Sequence, residues 1–242
     1  MVEDRRYFGT LPDEPGVGSR LVVLASLIGD VMSDGGLYRI TRPQRTMGGS
    51  IAASGSYRVF FSSKDPAAIE RFNNDCLVFF DRWPAPAHPN ARGVLRCQLY
   101  SRDAWQFLRF VGVPVGAKAQ QGYGVPEIIY HSEHTKRAFL SRFFDAEASV
   151  RADRREISIS QSKREGLISN GLQFMNELRG LLADLGVRTS QPWPEQRAYY
   201  VGKDGTGSYR IAFSIGPNDI ASFHQRVGFG DRRKRQEVLK WL

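Results

Sequence analysis

The sequence predicts an α+β protein made of two copies of one helix–strand–strand–helix–strand–strand–helix unit. Three observations predict it. An apolar helical stretch ending in an acid and a small residue occurs twice, at Asp34-Gly35 and at Glu147-Ala148. Each stretch is followed by the same order of alternating and helical patterns. The spacing also repeats: Asp34 precedes Gly112 by 78 residues, Glu147 precedes Gly228 by 81, and each glycine leads a lysine, Lys118 or Lys234, by six.

In the first copy, residues 21–32 read as an apolar helix running into Asp34-Gly35-Gly36. Strands follow at 37–41 and 57–62, with the Gly-, Ser- and Ala-rich segment 47–56 between them as a flexible hairpin loop. Asp65-Pro66 opens a helix, with Asp as N-cap and Pro at the first position. Two more strands are expected at 77–80 and 93–100, joined by a Pro-rich turn at 84–89. A helix at 102–110 ends at Gly112. The second copy begins with a helix at 133–146, then strands at 149–152 and 155–160. A long amphipathic helix at 167–185 is closed by Gly186. A hairpin pairs 197–201 with 209–214, and helices at 219–227 and 233–241 finish the chain. The expected divisions are an N-terminal half at 1–120, a linker at 121–132 and a C-terminal half at 133–242.

Charge narrows the function. Lys and Arg number 34 against 25 Asp and Glu, a net charge of +9. Such an excess favours a polyanionic partner, nucleic acid before a membrane surface. Cys76 and Cys97 are the only cysteines, and the four histidines lack zinc-ligand spacing, so neither a disulfide scaffold nor a zinc module is expected. The apolar stretch at 21–28 is too short to span a bilayer, and the first residues lack a secretory h-region. A reducing cytosolic or organellar compartment, without membrane contact, is the expected setting.

The two acid-ended helices are 24-LASLIGDVMSDG-35 and 139-FLSRFFDAEA-148. They resemble the motif of the LAGLIDADG homing endonucleases of the two-motif, single-chain type. The likeness spans roughly residues 18–240 and includes the segments from Gly112 to Lys118 and from Val227 to Lys234. It implies two central helices packed side by side beneath two saddle-shaped antiparallel sheets. It further implies site-specific, Mg²⁺-dependent (or other divalent-cation) cleavage of both DNA strands across the minor groove, leaving 3′ overhangs. Asp34 and Glu147 match the catalytic, metal-binding acids, one per strand. Mg²⁺ takes oxygen ligands and keeps several waters, so one carboxylate from each helix suffices.

The resemblance places further residues. Lys118 and Lys234 match basic partners that stabilise a developing oxyanion, although Lys234, inside a basic run, reads equally as surface charge. Lys64 and Gln161, read as ending the second strand of each copy, match polar residues beside the active-site waters. Candidate DNA contacts on the strands are Arg39, Arg42, Arg45, Arg58, Arg96 and Gln98, then Arg151, Arg154, Arg155, Ser158, Arg197, Lys203 and Arg210. Most are expected to touch phosphate rather than base. The aromatics Phe60, Phe61, Phe79, Phe80, Phe107, Phe110, Phe143, Phe144 and Phe174 read as core. Three positions depart from the motif. Arg142 stands where a small residue usually lets the helices touch, Asp30 replaces an apolar residue, and Ala148 replaces glycine. An arginine at 142 must leave the helix interface or widen it.

Double-stranded DNA, read by a monomer at a long asymmetric site, is thus the expected partner. Two alternatives on the same fold are an RNA-binding intron maturase and a catalytically inactive DNA-binding protein. An intein endonuclease fits less well, because the N-terminus has no splicing Cys or Ser and the chain ends in Lys-Trp-Leu. A freestanding, intron-encoded protein is the expectation.

Overall fold

The computed structural model describes residues 17–45, 51–201 and 205–242, with the side chains of 17, 41–45, 51–54 and 196–198 outside the described set. The first half runs α1 (Val17–Met32), β1 (Gly36–Arg45), β2 (Ile51–Ser63), α2 (Pro66–Phe80), β3 (Ala85–Pro89), β4 (Leu95–Tyr100) and α3 (Arg102–Phe110). The second runs α4 (Glu133–Glu147), β5 (Ala148–Arg151), β6 (Glu156–Arg164), α5 (Ile168–Asp184), β7 (Trp193–Val201), β8 (Gly207–Ile215) and α6 (Ile220–Arg226), and α7 (Arg232–Leu239) follows. Both sheets are antiparallel and share one order, β1-β2-β4-β3 and β5-β6-β8-β7. The edge strands β3 and β7 each carry a register shift, between Ala85 and His88 and between Glu195 and Tyr200. The repeat inferred from sequence is therefore a repeat of topology down to its irregularities.

At the centre α1 packs along α4. Leu24, Ala25, Leu27 and Ile28 are all buried, so α1 is covered on most of its circumference. From α4, Phe139, Leu140, Phe143 and Phe144 join the same core. Gly29 marks the close approach: a Cβ there would meet the Phe139 carbonyl oxygen at 2.7 Å and the Arg142 Cβ at 2.9 Å. Arg142 thus does sit against α1, and the small residue that admits it lies on the opposite helix. Gly35 plays a related part at the end of α1, where a Cβ would lie 2.5 Å from the Phe60 carbonyl oxygen of β2. The chain there turns tightly from helix into strand, which fixes where Asp34 stands.

Several sequence expectations are corrected. The strand expected at 77–80 is the last turn of α2. Ala68, Ile69, Phe72 and Cys76 are buried at helical spacing; part-buried Phe79 and Phe80 continue it while Leu77 and Val78 face out, until Asp81 turns left-handed at φ 53°. The Pro-rich turn at 84–89 contains strand β3. Pro86 and Pro89 are tolerated there because β3 is an edge strand, with one side free of ladder bonds. The loop expected at 47–56 is shorter: Ile51 onward belongs to β2, paired through Arg45, and 46–50 lie outside the described residues. The linker between α3 and α4 takes in residues 111–132, ten more than expected, and holds two short 3₁₀ turns, Lys118–Gln120 and Glu127–His131. Phe60 and Phe110 are not core: Phe60 is half-buried on the outer sheet face and Phe110 is exposed. Cys76 and Cys97 are buried free thiols. No described helix is long and apolar enough to cross a membrane.

Gly29→Val should force α1 and α4 apart. The expected cost is about 2–3 kcal/mol, seen as a lower urea midpoint with an unchanged m-value. An unchanged midpoint would show that the helices do not touch there.

Candidate functional site

Asp34 and Glu147 end the two central helices. A helix C-terminus is a poor place for a carboxylate, because the last carbonyls carry a partial negative charge. A lysine offsets this at each end. Lys118 Nζ donates to the carbonyls of Met32 (2.9 Å), Gly35 (3.2 Å), Val31 (3.5 Å) and, at the closest approach, Ser33. Lys234 Nζ donates to those of Ala148 (2.6 Å), Asp145 (2.7 Å) and Phe144 (3.4 Å). Counted from each acid, both lysines take the carbonyls three and two residues before it and one after it. The reading of Lys234 as ordinary surface charge is overturned: it is half-buried and mirrors Lys118.

The acids differ in surroundings. Asp34 is exposed, while Glu147 is half-buried. Burial raises the Glu147 pKa to about 7; Lys118 and Lys234 pull it down, Asp34 pushes it up, and a hydrogen bond from the Gln161 side chain opposes the rise. Loss of water on its protein side raises the Asp34 pKa as well, against Lys118 and Lys234. Each lysine spends its N–H groups on carbonyls, so among the described residues neither carboxylate has a bonded counter-ion, and the two repel one another. That donor set suits a divalent cation, which needs only a carboxylate or two beside water and phosphate oxygens. Among the described residues no group of three or more His, Cys, Asp or Glu could form a closed metal cage.

Register decides which polar residues correspond. Gly36 and Ser149, each two residues past its acid, pair with Phe60 and Ser158. Gln161 therefore corresponds to Ser63, and Lys64 to Ser162. The matching of Lys64 with Gln161 is corrected by one residue, because β6 continues to Arg164 instead of ending at Gln161. Gln161 is buried, accepts a 2.9 Å bond from the Tyr123 hydroxyl and reaches Glu147. Lys64 is exposed and lines an open groove with Asp34, Ser62 and Ser63.

The sheets sort the basic candidates by face. In the first sheet Leu37, Val59, Phe61, Cys97 and Leu99 point to the core. Arg58, Arg96 and Gln98 alternate with them on the other face, where Arg58 reaches Gln98 (3.4 Å) and Arg96 bonds Ser62 (3.0 Å). Arg39 is a correction: its partner is Tyr57, which packs against Trp105, so Arg39 shares the core-side face. In the second sheet Ser158, Arg151 and Arg210 lie on the outer face, with Arg210 3.7 Å from Glu195. Arg154 and Arg155 occupy the β5–β6 turn, Arg155 at φ 48°. The side chains of Arg42, Arg45 and Arg197, and Lys203 entirely, lie outside the described residues. Sequence reading missed the exposed aromatics interleaved with these bases. Arg58 stacks over Tyr100 (5.2 Å) and Arg96 over Phe60 (4.8 Å), while Tyr38, Trp193, Tyr199 and Tyr200 are exposed. Strand alternation around Val59 and Leu99 is the signal that could have found those on the first sheet.

Two of the three departures from the motif, Arg142 and Asp30, lie in or beside one part-buried ionic cluster. Arg142 of α4 donates to Asp75 of α2 at 2.7 Å, and Arg71 of α2 bonds Asp145 of α4 at 3.3 Å. Asp145 also accepts the Asp231 backbone N–H at 2.9 Å, which seats the start of α7 and hence Lys234. Asp30 is 2% exposed, and its Oδ2 has no hydrogen-bond partner. It lines a cavity of about 60 Å³ with Asp34, Arg71 and Asp145. Burial raises its pKa from 3.8 to about 7, against the attraction of Arg142.

The chain was compared with known proteins. Residues 134–228 match the family model described as "LAGLIDADG-like domain". Among curated proteins, the tRNA-splicing ligase RtcB of Pyrococcus abyssi is 28% identical over 140 residues, 56% of this chain and 14% of that protein. The protein of the same name from Methanocaldococcus jannaschii is 33% identical over 129 residues, 51% of this chain and 12% of that one. The matched region is thus a small part of these relatives. Among solved structures, I-DmoI in complex with DNA and Mn has a TM-score of 0.54 at 15% identity, covering 86% of this chain and 97% of that one. Full-length DUF199/WhiA from Thermatoga maritima has a TM-score of 0.52 at 14% identity, covering 96% and 62%. Both share the fold.

Folded Asp30 holds its proton to about pH 7, while the unfolded chain releases it near 3.8. Its contribution to stability therefore falls as pH rises from about 4 to about 7, by at most about 1.4 kcal/mol per pH unit. Urea unfolding of Asp30→Asn and wild type at pH 5 and pH 8 checks this. Asp30→Asn should gain on wild type at the higher pH, and parallel pH curves would exclude the assignment.

Proposed function

We propose that this chain, whose residues 134–228 match the LAGLIDADG-like domain model, belongs to that family and is a divalent-metal-dependent, site-specific double-strand DNA endonuclease. The observation that carries the reading is the paired arrangement at the helix ends: two acids at the floor of the helix seam, each with a lysine on the same three carbonyl positions. A pure binding surface has no use for two mutually repelling carboxylates held in this way. The solved structure of I-DmoI with DNA and Mn supports the reading by analogy of fold. The tRNA-splicing ligases share only 12–14% of their length with this chain, and the reading takes nothing from their activity.

Asp34 and Glu147 would hold Mg²⁺ or a similar ion, which supplies an activated water and relief of phosphate charge. Lys118 and Lys234 keep the helix ends in place and offset their negative field. Gln161 orients the Glu147 carboxylate, and Ser63 and Lys64 take the corresponding flank of Asp34. Outer-face Arg58, Arg96, Gln98, Arg151, Ser158 and Arg210 would meet the duplex. Their neighbouring acids and aromatics hold the guanidinium planes for bidentate contact with phosphate or guanine.

The test uses a plasmid library and Mg²⁺. Wild type should linearise a subset of plasmids. Asp34→Asn and Glu147→Gln should each lose linearisation by at least about a hundredfold and keep DNA affinity. Binding without cleavage by wild type would leave a non-cutting DNA-binding protein, and tight binding of structured RNA alone would leave a maturase. The Glu147 pKa near 7 adds a pH prediction. A metal ion competes with the proton there, so cleavage at limiting Mg²⁺ should rise from pH 6 to pH 8 and then flatten. A flat profile across pH 7 would remove Glu147 from the metal site.

Phosphate contacts can be counted by salt. Arg58→Ala and Arg96→Ala should each flatten the slope of log K against log salt by about one. An unchanged slope for both would take the first sheet's outer face off the DNA.

A further inference from the structure

Lys163 is a lysine with 0% exposure on β6, two residues past Gln161. Its Nζ donates to the carbonyls of Gln121 (2.8 Å) and Lys118 (3.2 Å) and stands 3.6 Å from the centre of the Tyr123 ring. Burial lowers its pKa to about 8, so it remains cationic at neutral pH. A buried ammonium held by carbonyls and an aromatic face costs stability that an apolar side chain of equal length would not. Its contacts indicate what the cost sustains.

Two paths leave it. Through Tyr123, the phenol hydroxyl donates to Gln161 Oε1 at 2.9 Å. That bond fixes the amide so that its N–H₂ faces Glu147. Through the backbone, Lys163 holds the 3₁₀ turn Lys118–Gln120, and Lys118 caps the end of α1 one residue before Asp34. Gly116 just upstream bonds Leu37 of β1 at 2.9 Å. The linker thus touches both acids' surroundings, and Lys163 is the cation that seats it. By register the first-half counterpart of Lys163 is Asp65, which caps α2 by accepting from Ala67 at 3.0 Å. The brace exists on one side only.

We propose that Lys163 and Tyr123 are positioning residues that couple the two half-sites, seating the linker so that Lys118 at the Asp34 end and Gln161 at the Glu147 end are aimed together. The proposal rests on the endonuclease reading for its consequence, the matched cutting of two strands, but its structural half does not.

The first arm needs neither metal nor DNA. Hydrogen–deuterium exchange of the whole 242-residue chain without metal should show Lys163→Met raising exchange in 118–124 and in 33–37 about tenfold, the loss of buried hydrogen bonds opening those segments locally. Exchange that rises only around residue 163, or uniformly along the chain, overturns the coupling. The second arm resolves the strands on a cleavable plasmid. Tyr123→Phe, which removes one hydroxyl and keeps the ring, should slow one strand about tenfold, as outer-sphere partners of metal ligands do. Nicked circle should accumulate at unchanged DNA affinity, and Lys163→Met should slow both strands. Phe174→Leu, cut from the ring that packs on Tyr123 at 4.9 Å, controls for stability: it should lower Tm without changing the strand ratio. Equal slowing of both strands by Tyr123→Phe, or none, overturns the proposal. A wild type that cuts no DNA overturns the endonuclease reading instead and leaves the exchange arm to decide the coupling.

Discussion

The arrangement depends on an ammonium group at the C-terminal end of each central helix. Without it, a carboxylate at that position would face the negative end of the helix and a second carboxylate across the seam. Lys118 and Lys234 occupy the same carbonyl positions relative to Asp34 and Glu147, although one arrives from a linker and the other from α7. Their N–H groups are consumed by carbonyls, so neither lysine is bonded to the acid beside it. The seam itself is possible because Gly29 lets α1 approach the backbone of α4 at Phe139.

The two halves share topology and differ in chemistry. Glu147 is half-buried and hydrogen-bonded by Gln161; Asp34 is exposed with a serine in the corresponding place. On one side of the seam, the Arg142–Asp75 and Arg71–Asp145 pairs tie α4 to α2 across the halves. On the other, the Lys163–Tyr123 brace ties the linker to the second sheet. Part-buried ion pairs bring little net stability but disfavour misregister, because a partner left alone away from water is costly. The seam is therefore held in one alignment by groups that would tolerate no other.

The outer sheet faces show how charge is used. Arg58 and Arg96 are laid over aromatic rings and pinned by Gln98 and Ser62. A guanidinium stacked and bonded in this way loses less freedom when it meets a planar anion. Arg39 has the same composition-level credentials and lies on the other face, which shows how little a count of basic residues says about a surface.

The sequence by itself determined the elements whose signals are local. Two apolar helices ending in acids, the N-cap at Asp65, the helix over 102–110 and the second-half amphipathic helix were legible because 3.6-residue periodicity and capping act within a few residues. The doubled spacing gave the pseudo-symmetry for the same reason. Tertiary structure decided what depends on pairing across distance. Whether 77–80 was strand or helix, and whether the prolines at 84–89 lay in a turn or an edge strand, turned on neighbours absent from the local pattern. Register made Ser63, not Lys64, the counterpart of Gln161, since a shift of one residue reverses a strand's faces. Lys163 looked like any strand lysine. Only the fold, by closing α5 and the linker over β6, turned it into a buried cation with two carbonyls and a ring to hold.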